Sequence, residues 1–293
     1  MENRLKKRIF VAVNNNCGMI VNRLKHICQR VHTLLGQSKP KGLELGGAAG
    51  LKQLHVIMRT TDRVMNINAK RNLEDIGIIT RNDVIRVGGC SLFKAAEQFA
   101  KAFGRDNIRI TIVTDNLSEK GMNQFREAAA STGLTFDVVE MEDHGNAPSF
   151  HKQIDIALQD SDDTLAFILE DDYLLDEKSL TTCFRLMRDH ANVIGMNPHF
   201  HPDRVRRQDI GLLTAIEGRL YCRIFNTCCT FFMPVSQMRR HEKHLRAYRG
   251  WEDESVNQIW KRGICLSPLG WTMAEALHRS ELSPVTTLIE HDT

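Results

Sequence analysis

The stretch DDTLAFILEDDYLLDE, residues 162 to 177, runs an apolar segment, Leu165 to Leu169, straight into Glu170, Asp171 and Asp172. It then returns at once to Tyr173, Leu174 and Leu175. Five of the six residues of TLAFIL (164–169) are apolar, the pattern of a central strand covered on both faces. Three adjacent carboxylates at the end of such a strand repel one another and lose hydration near a core, so a cation or donor groups must compensate them. The plainer alternative is an acidic surface turn, which a buried strand leading into it disfavours.

Around this strand the pattern alternates. LHVIM (54–58), IRITIVT (108–114) and LTFDVVEM (134–141) read as strands. SLFKAAEQFAKAFG (91–104), SEKGMNQFREAAASTG (118–133) and SFHKQIDIALQ (149–159) read as helices, the first closed by Gly and the second opened by a Ser cap. Strands alternating with helices predict a mostly parallel, right-handed α/β sheet. In such sheets ligands bind beyond the carboxyl ends of the strands. Arg59 in MRTTDR follows the first strand and Asp115 in VTDNLS the second, as the acidic cluster follows its own. Three strand ends therefore point at one crevice.

The second half is less regular. SLTTCFRLMRDH (179–190) predicts a helix, VIGMN (193–197) a strand, and GLLTAIEGRLYCRIF (211–225) a hairpin turning at Glu217 and Gly218. TCCTFFMP (227–234) reads as a buried strand and SQMRRHEKHLRAY (236–248) as a helix, followed by GWEDESVNQIWKRG (250–263), whose helix is expected over 253–262.

With 293 residues and 42% hydrophobic content, the chain is long enough for one large α/β domain or two small ones. No apolar run reaches the roughly 18 to 20 residues of a membrane span, and RIFVAV is too short for a signal-peptide core, so a cytoplasmic protein is expected. Eight cysteines, at 17, 28, 90, 183, 222, 228, 229 and 265, form no CxxC pair and read as free thiols. His199 and His201, and His241 and His244, have metal-ligand spacing, but neither pair has a matching second pair.

The net charge of +3 hides an asymmetry. Residues 1–42 hold nine Lys and Arg against one acid, a net +8, and the rest of the chain is −5. Ile20, Leu24, Ile27, Val31 and Leu34 make one apolar stripe on a predicted basic helix within 18–36, followed by a Gly-rich stretch over 36–50. Such a segment suits nucleic acid, an anionic membrane surface or an acidic partner, or is a solvated helix face with no partner.

HVIMRTTDR (55–63), TIVTDN (111–116), FILEDDYLL (167–175), GWEDES (250–255) and SPVTTLIEH (283–291), in that order, resemble the GT-A fold glycosyltransferases of the family-2 type, over roughly residues 53–293. The resemblance implies a GT-A type, Rossmann-like sheet, mostly parallel and flanked by helices, with the basic helical extension 1–52 outside the family pattern. It divides the chain into a nucleotide-sugar-binding half, 53–176, and an acceptor-binding half, 177–293, whose tail closes on a metal. It implies a hexosyl- or pentosyltransferase that moves a sugar from a nucleotide diphosphate donor, with a UDP-sugar expected, to an acceptor hydroxyl with inversion.

The acidic motif of that family holds Mn²⁺ or Mg²⁺ against the donor diphosphate. Asp172 is the implied metal ligand and Glu170 the contact to ribose or sugar hydroxyls, with Asp171 able to exchange roles with either. Such a cation would neutralise the charge left on the departing phosphate. Asp115 is implied at the nucleotide base or ribose and Arg59 near the nucleotide, with a surface salt bridge as the alternative for Arg59. Glu252 and Asp253 match the acidic pair that removes the acceptor proton, though both would also favour a helix N-terminus. Trp251 would be a platform for an acceptor ring, and His291 a further metal ligand. The family's acidic pair after the second strand is here Thr114-Asp115, a departure that leaves base recognition open.

The implied acceptor is a saccharide, as in a cell-surface glycan precursor, or a hydroxylated base in DNA, as for phage DNA-modifying relatives of the fold. Two other classes stay open: a non-catalytic protein binding a nucleotide sugar or carbohydrate, and a nucleotidyltransferase, for which MRTTDR lacks the expected glycines.

Overall fold

A computed structural model describes residues 45–47, 49–62, 80–200, 210–227, 230–250, 254–269 and 271–276. The basic segment 1–42 and its expected helix lie outside these residues, as do Trp251, Glu252, Asp253 and His291. No described helix is long and apolar enough to cross a membrane.

The α/β alternation is observed. β1 (Gln53–Thr61), β2 (Ile108–Asp115), β3 (Asp137–Glu140) and β4 (Thr164–Glu170) are linked through α1 (Arg81–Phe103), α2 (Glu119–Thr132) and α3 (Asn146–Ala157). β5 (Tyr173–Leu175), α4 (Ser179–Asp189), β6 (Val193–Met196), β7 (Ile210–Ile216), β8 (Arg219–Ile224) and β9 (Phe231–Pro234) come next. α5 (Val235–Arg240), α6 (Glu242–Arg246), α7 (Asn257–Arg262), β10 (Ile264–Pro268) and β11 (Ala274–Ala276) complete the described chain.

Nine strands form one sheet in the order β3-β2-β1-β4-β9-β6-β10-β8-β7, and β11 pairs with β5 in a second, small sheet. Pairing is parallel from β3 through β4 and between β6 and β10; β9 runs antiparallel to both its neighbours. Alternate residues of the central strands enter two cores. Val56, Met58, Leu165, Phe167 and Leu169 pack toward α1, α2 and α4, whereas Ile57, Ala166 and Ile168 pack toward α3 and the helices that follow β9. Burial on both faces is why TLAFIL is a continuous apolar run.

The boundaries moved where local signals conflicted. α1 starts ten residues before the predicted 91, because Thr80 and Asp83 form a reciprocal capping box and Gly88-Gly89 continue the helix. Those glycines cost helix stability but allow close packing. The predicted helix 236–248 breaks at His241 into α5 and α6, and α7 starts at Asn257, later than the expected 253. β10 and β11 were not anticipated: ICLSP and AEA carry no alternation of their own and are strands because neighbours pair with them. The hairpin turns where expected, with φ of 50° at Glu217 and 75° at Gly218.

Phe167 and Phe232 are partners across β4 and β9, with stacked rings 3.8 Å apart, both fully buried. Phe232→Ala is expected to lower the unfolding free energy by about 3–5 kcal/mol in a denaturant titration; a loss below about 1 kcal/mol would show that the site collapses around the cavity.

At the amino end of β1, His55 is buried, 2.7 Å from the Asp160 carboxylate and 2.8 Å from the Thr111 hydroxyl, with Arg109 paired to Asp160. Burial lowers the His55 pKa below its ordinary 6.5; Asp160 and Asp137 pull it up and Arg109 pushes it down. The unfolded chain therefore binds the proton more readily, and this contribution to stability is present above pH 6.5 and lost as pH falls toward the folded-state value. Stability should rise from pH 5 to pH 7, and less steeply in His55→Gln; equal slopes in the two proteins would refute this.

Candidate active site

The carboxyl edge of β2, β1 and β4 gathers the predicted residues from Arg59, Asp115 and Glu170 to Asp172. Arg59 and Glu170 are direct partners in the parallel β1–β4 register, and Thr61 faces Asp115 across β1–β2. Arg59 forms an ion pair with Glu170 and donates to the Asn146 carbonyl at 2.7 Å and the Ser149 hydroxyl at 3.0 Å, both at the start of α3. It is buried, which removes the surface-salt-bridge reading. The Glu170 amide donates to the Thr230 hydroxyl just before β9, so the second half of the chain also braces this strand end.

After Glu170 the chain turns at Asp171 and Asp172 and enters β5, whose Tyr173 and Leu175 are buried beneath α1. The return to apolar residues is thus a second strand, in another sheet, and the carboxylates occupy the corner between them. Asp171 is buried and ion-paired with Arg81, the first residue of α1. Burial pushes its carboxyl up to about 6 against the pull of the Arg81 guanidinium, and Asp172 adds to the rise. Asp172 itself is half-buried.

Asp115 is also buried. Its carboxylate accepts the Gly145 amide at 2.9 Å and lies 2.6 Å from His144 Nδ1. The left-handed backbone at Asn116, φ 56°, and the φ of 116° at Gly145 shape this corner. Gln153, fully buried on α3, donates to the carbonyls of Ile57 at 2.6 Å and Leu169 at 3.0 Å, tying together the strands that carry Arg59 and Glu170. Tyr248 packs on Phe150 of α3 at 4.6 Å, so the segment just after α6 lies against the helix whose start holds Arg59.

Arg81, His144 and Gln153 were not found from sequence. Only Arg81 carried a signal, the Thr80–Asp83 capping box that marks the true start of α1.

Among the described residues no three His, Cys, Asp or Glu side chains gather into a cation cage. His199 is buried with Nδ1 on the Ala274 carbonyl, and Cys90, Cys183, Cys222 and Cys265 are not joined in disulfides. The donor set suits a cation held in the other common way, by one or two carboxylates together with substrate phosphates. Glu170 and Asp171 are ion-paired with guanidiniums, and the half-buried carboxylate of Asp172 beside them is a hard-oxygen group that could join such a set.

No family model matches the chain, and no curated protein matches it. Solved structures do. The chain is similar to the mannosyltransferase PcManGT from Pyrobaculum calidifontis, in complex with GDP-Man and Mn²⁺: 14% identity, TM-score 0.48, over 78% of this chain and 58% of that one. It is similar to S. aureus TarS 1–349, with 12% identity and a TM-score of 0.43, over 73% of this chain and 57% of that one. A putative glucose-1-phosphate thymidylyltransferase from Bacillus anthracis matches at 12% identity and TM-score 0.43, over 77% of this chain and 90% of that one. The chain thus spans less than two thirds of the first two proteins, and the functional reading rests on its own residues.

Proposed function

We propose that the protein is a glycosyltransferase that moves one sugar from a nucleotide diphosphate donor to an acceptor hydroxyl. The observation that carries this reading is the corner between β4 and β5, where Glu170, Asp171 and Asp172 meet Arg59 and Arg81 at the carboxyl edge of a parallel sheet. Buried charge of both signs at a strand edge is costly to maintain for stability alone and suits a ligand that is itself charged.

Residues 53–176 form the donor half, with Arg59, Glu170 and Asp115 toward the nucleotide, and 177–293 the acceptor half. Asp172, with His291, would hold Mn²⁺ or Mg²⁺ when bound, which supplies positive charge to the departing diphosphate oxygen. Glu252 or Asp253 takes the proton of the acceptor hydroxyl as its oxygen attacks the anomeric carbon from the face opposite the leaving group, so the configuration inverts. Trp251 offers the acceptor ring an apolar face. The acceptor is a saccharide hydroxyl. The +8 segment favours a second acceptor, a hydroxylated base in DNA, whose binding would weaken steeply with salt and vanish when residues 1–42 are removed.

The test is thermal stabilisation of the protein against UDP, GDP, CDP and dTDP, each with and without Mn²⁺. A Mn²⁺-dependent rise in melting temperature with one of them is expected and names the base. No rise with any overturns the reading.

A further inference from the structure

A second guanidinium stands at the acidic corner. Arg81 opens α1, donates from Nε to the Thr61 carbonyl at 2.7 Å and pairs through Nη2 with Asp171. Thr61 is the β1 partner of Asp115, so the guanidinium sits between the end of the strand leading to the nucleotide corner and the acidic turn. Two contacts along one edge fix its plane. Nη1 makes no hydrogen bond among the described residues and is not among the buried polar atoms.

Arg59 is placed differently. Its guanidinium is spread over Glu170, the Asn146 carbonyl and the Ser149 hydroxyl, and it is the more buried of the two. An anion entering beside three carboxylates needs a donor that those carboxylates have not consumed, and a planar guanidinium held by one edge presents such donors on another.

We propose that Arg81 is a donor-binding residue that takes a phosphate oxygen of the nucleotide's diphosphate through Nη1, while Asp171 holds its plane. The proposal rests on the nucleotide-sugar reading and adds to it a specific protein ligand for the diphosphate. Asp171 is then a positioning residue for the guanidinium.

The test is calorimetric titration of the full chain with the nucleoside diphosphate selected by the stabilisation panel, and with the corresponding nucleoside as the uncharged probe. Asp171→Asn, whose amide oxygen can still accept from the guanidinium but holds its plane less firmly, is expected to weaken diphosphate binding by clearly less than the double variant does. The double variant Arg81→Gln with Asp171→Asn removes both charges and leaves no buried ion unpaired. It is expected to bind the diphosphate about 10- to 100-fold more weakly, as for a lost charge-assisted hydrogen bond, with nucleoside binding unchanged. Arg81→Lys, which keeps the charge without the fork, is expected to fall between the two.

A double variant that binds the diphosphate as tightly as the wild type makes Arg81 a structural tie and overturns the proposal. Equal losses in Asp171→Asn and the double variant overturn it as well, by assigning the effect to Asp171. If the wild type binds none of the four diphosphates, the nucleotide-sugar reading itself fails, an outcome distinct from both.

Discussion

Asp172→Asn is expected to lower sugar transfer by at least about 10²-fold, the size of loss typical when one charge-stabilising group is taken from a transition state. The substitution is nearly isosteric at a half-buried corner between β4 and β5, so the fold should survive and the melting temperature should change little. The charge of the carboxylate is what disappears. Glu170 and Asp171 cannot substitute for it without giving up Arg59 and Arg81, since both are ion-paired there. Turnover and its Mn²⁺ dependence are the readout, compared with the nucleotide-induced rise in melting temperature for the same variant. Wild-type turnover with unchanged metal dependence in Asp172→Asn would remove the metal-ligand role.

Gly88→Ala should have a comparable effect by a purely steric route. A Cβ at Gly88 would stand 2.4 Å from the Asp171 carbonyl oxygen, 3.4 Å from its carbon and 3.5 Å from the Tyr173 carbonyl oxygen, all of them backbone atoms. No side chain can swing aside, so either α1 or the acidic corner must shift. Ser91, one turn later, accepts the Leu175 amide at 3.1 Å and binds the same segment to the same helix. Overpacking of this kind costs about 1–3 kcal/mol, and a displacement of about 1 Å at reacting groups can cost about 10²-fold in rate.

Gly89→Ala is the control. There the added Cβ meets the Phe125 ring of α2 at 3.1 Å, away from the acidic corner. It should reduce stability with little effect on turnover. Equal activity losses in the two variants would mean that α1 does not position the carboxylates through Gly88.

Much of the site could be read in the sequence because it is written in local pattern. The apolar run of β4 ends where buried backbone ends, and Arg59 and Asp115 close their own strands in the same way. Parallel register then brings Arg59 opposite Glu170 and Thr61 opposite Asp115. The hairpin at Glu217 and Gly218 was equally local, since its backbone needs positive φ. The acceptor-side residues Trp251, Glu252 and Asp253 remain expectations from the family resemblance.

The sequence by itself determined the α/β alternation, the strand ends that meet at one edge of the sheet and the acidic corner after β4, because each is set by residues close together along the chain. Only the tertiary structure decided what those carboxylates touch. Arg81 lies 90 residues before Asp171, and Gly88 and Ser91 reach the same corner only because a 23-residue helix crosses it. Gly88 and Gly89, which precede the predicted helix start at 91, are close-approach points inside that helix. β9 enters antiparallel between β4 and β6, and β10 and β11 become strands through their partners rather than their own composition. Pairings at such separations depend on which surfaces meet after the chain collapses, and no local periodicity records them.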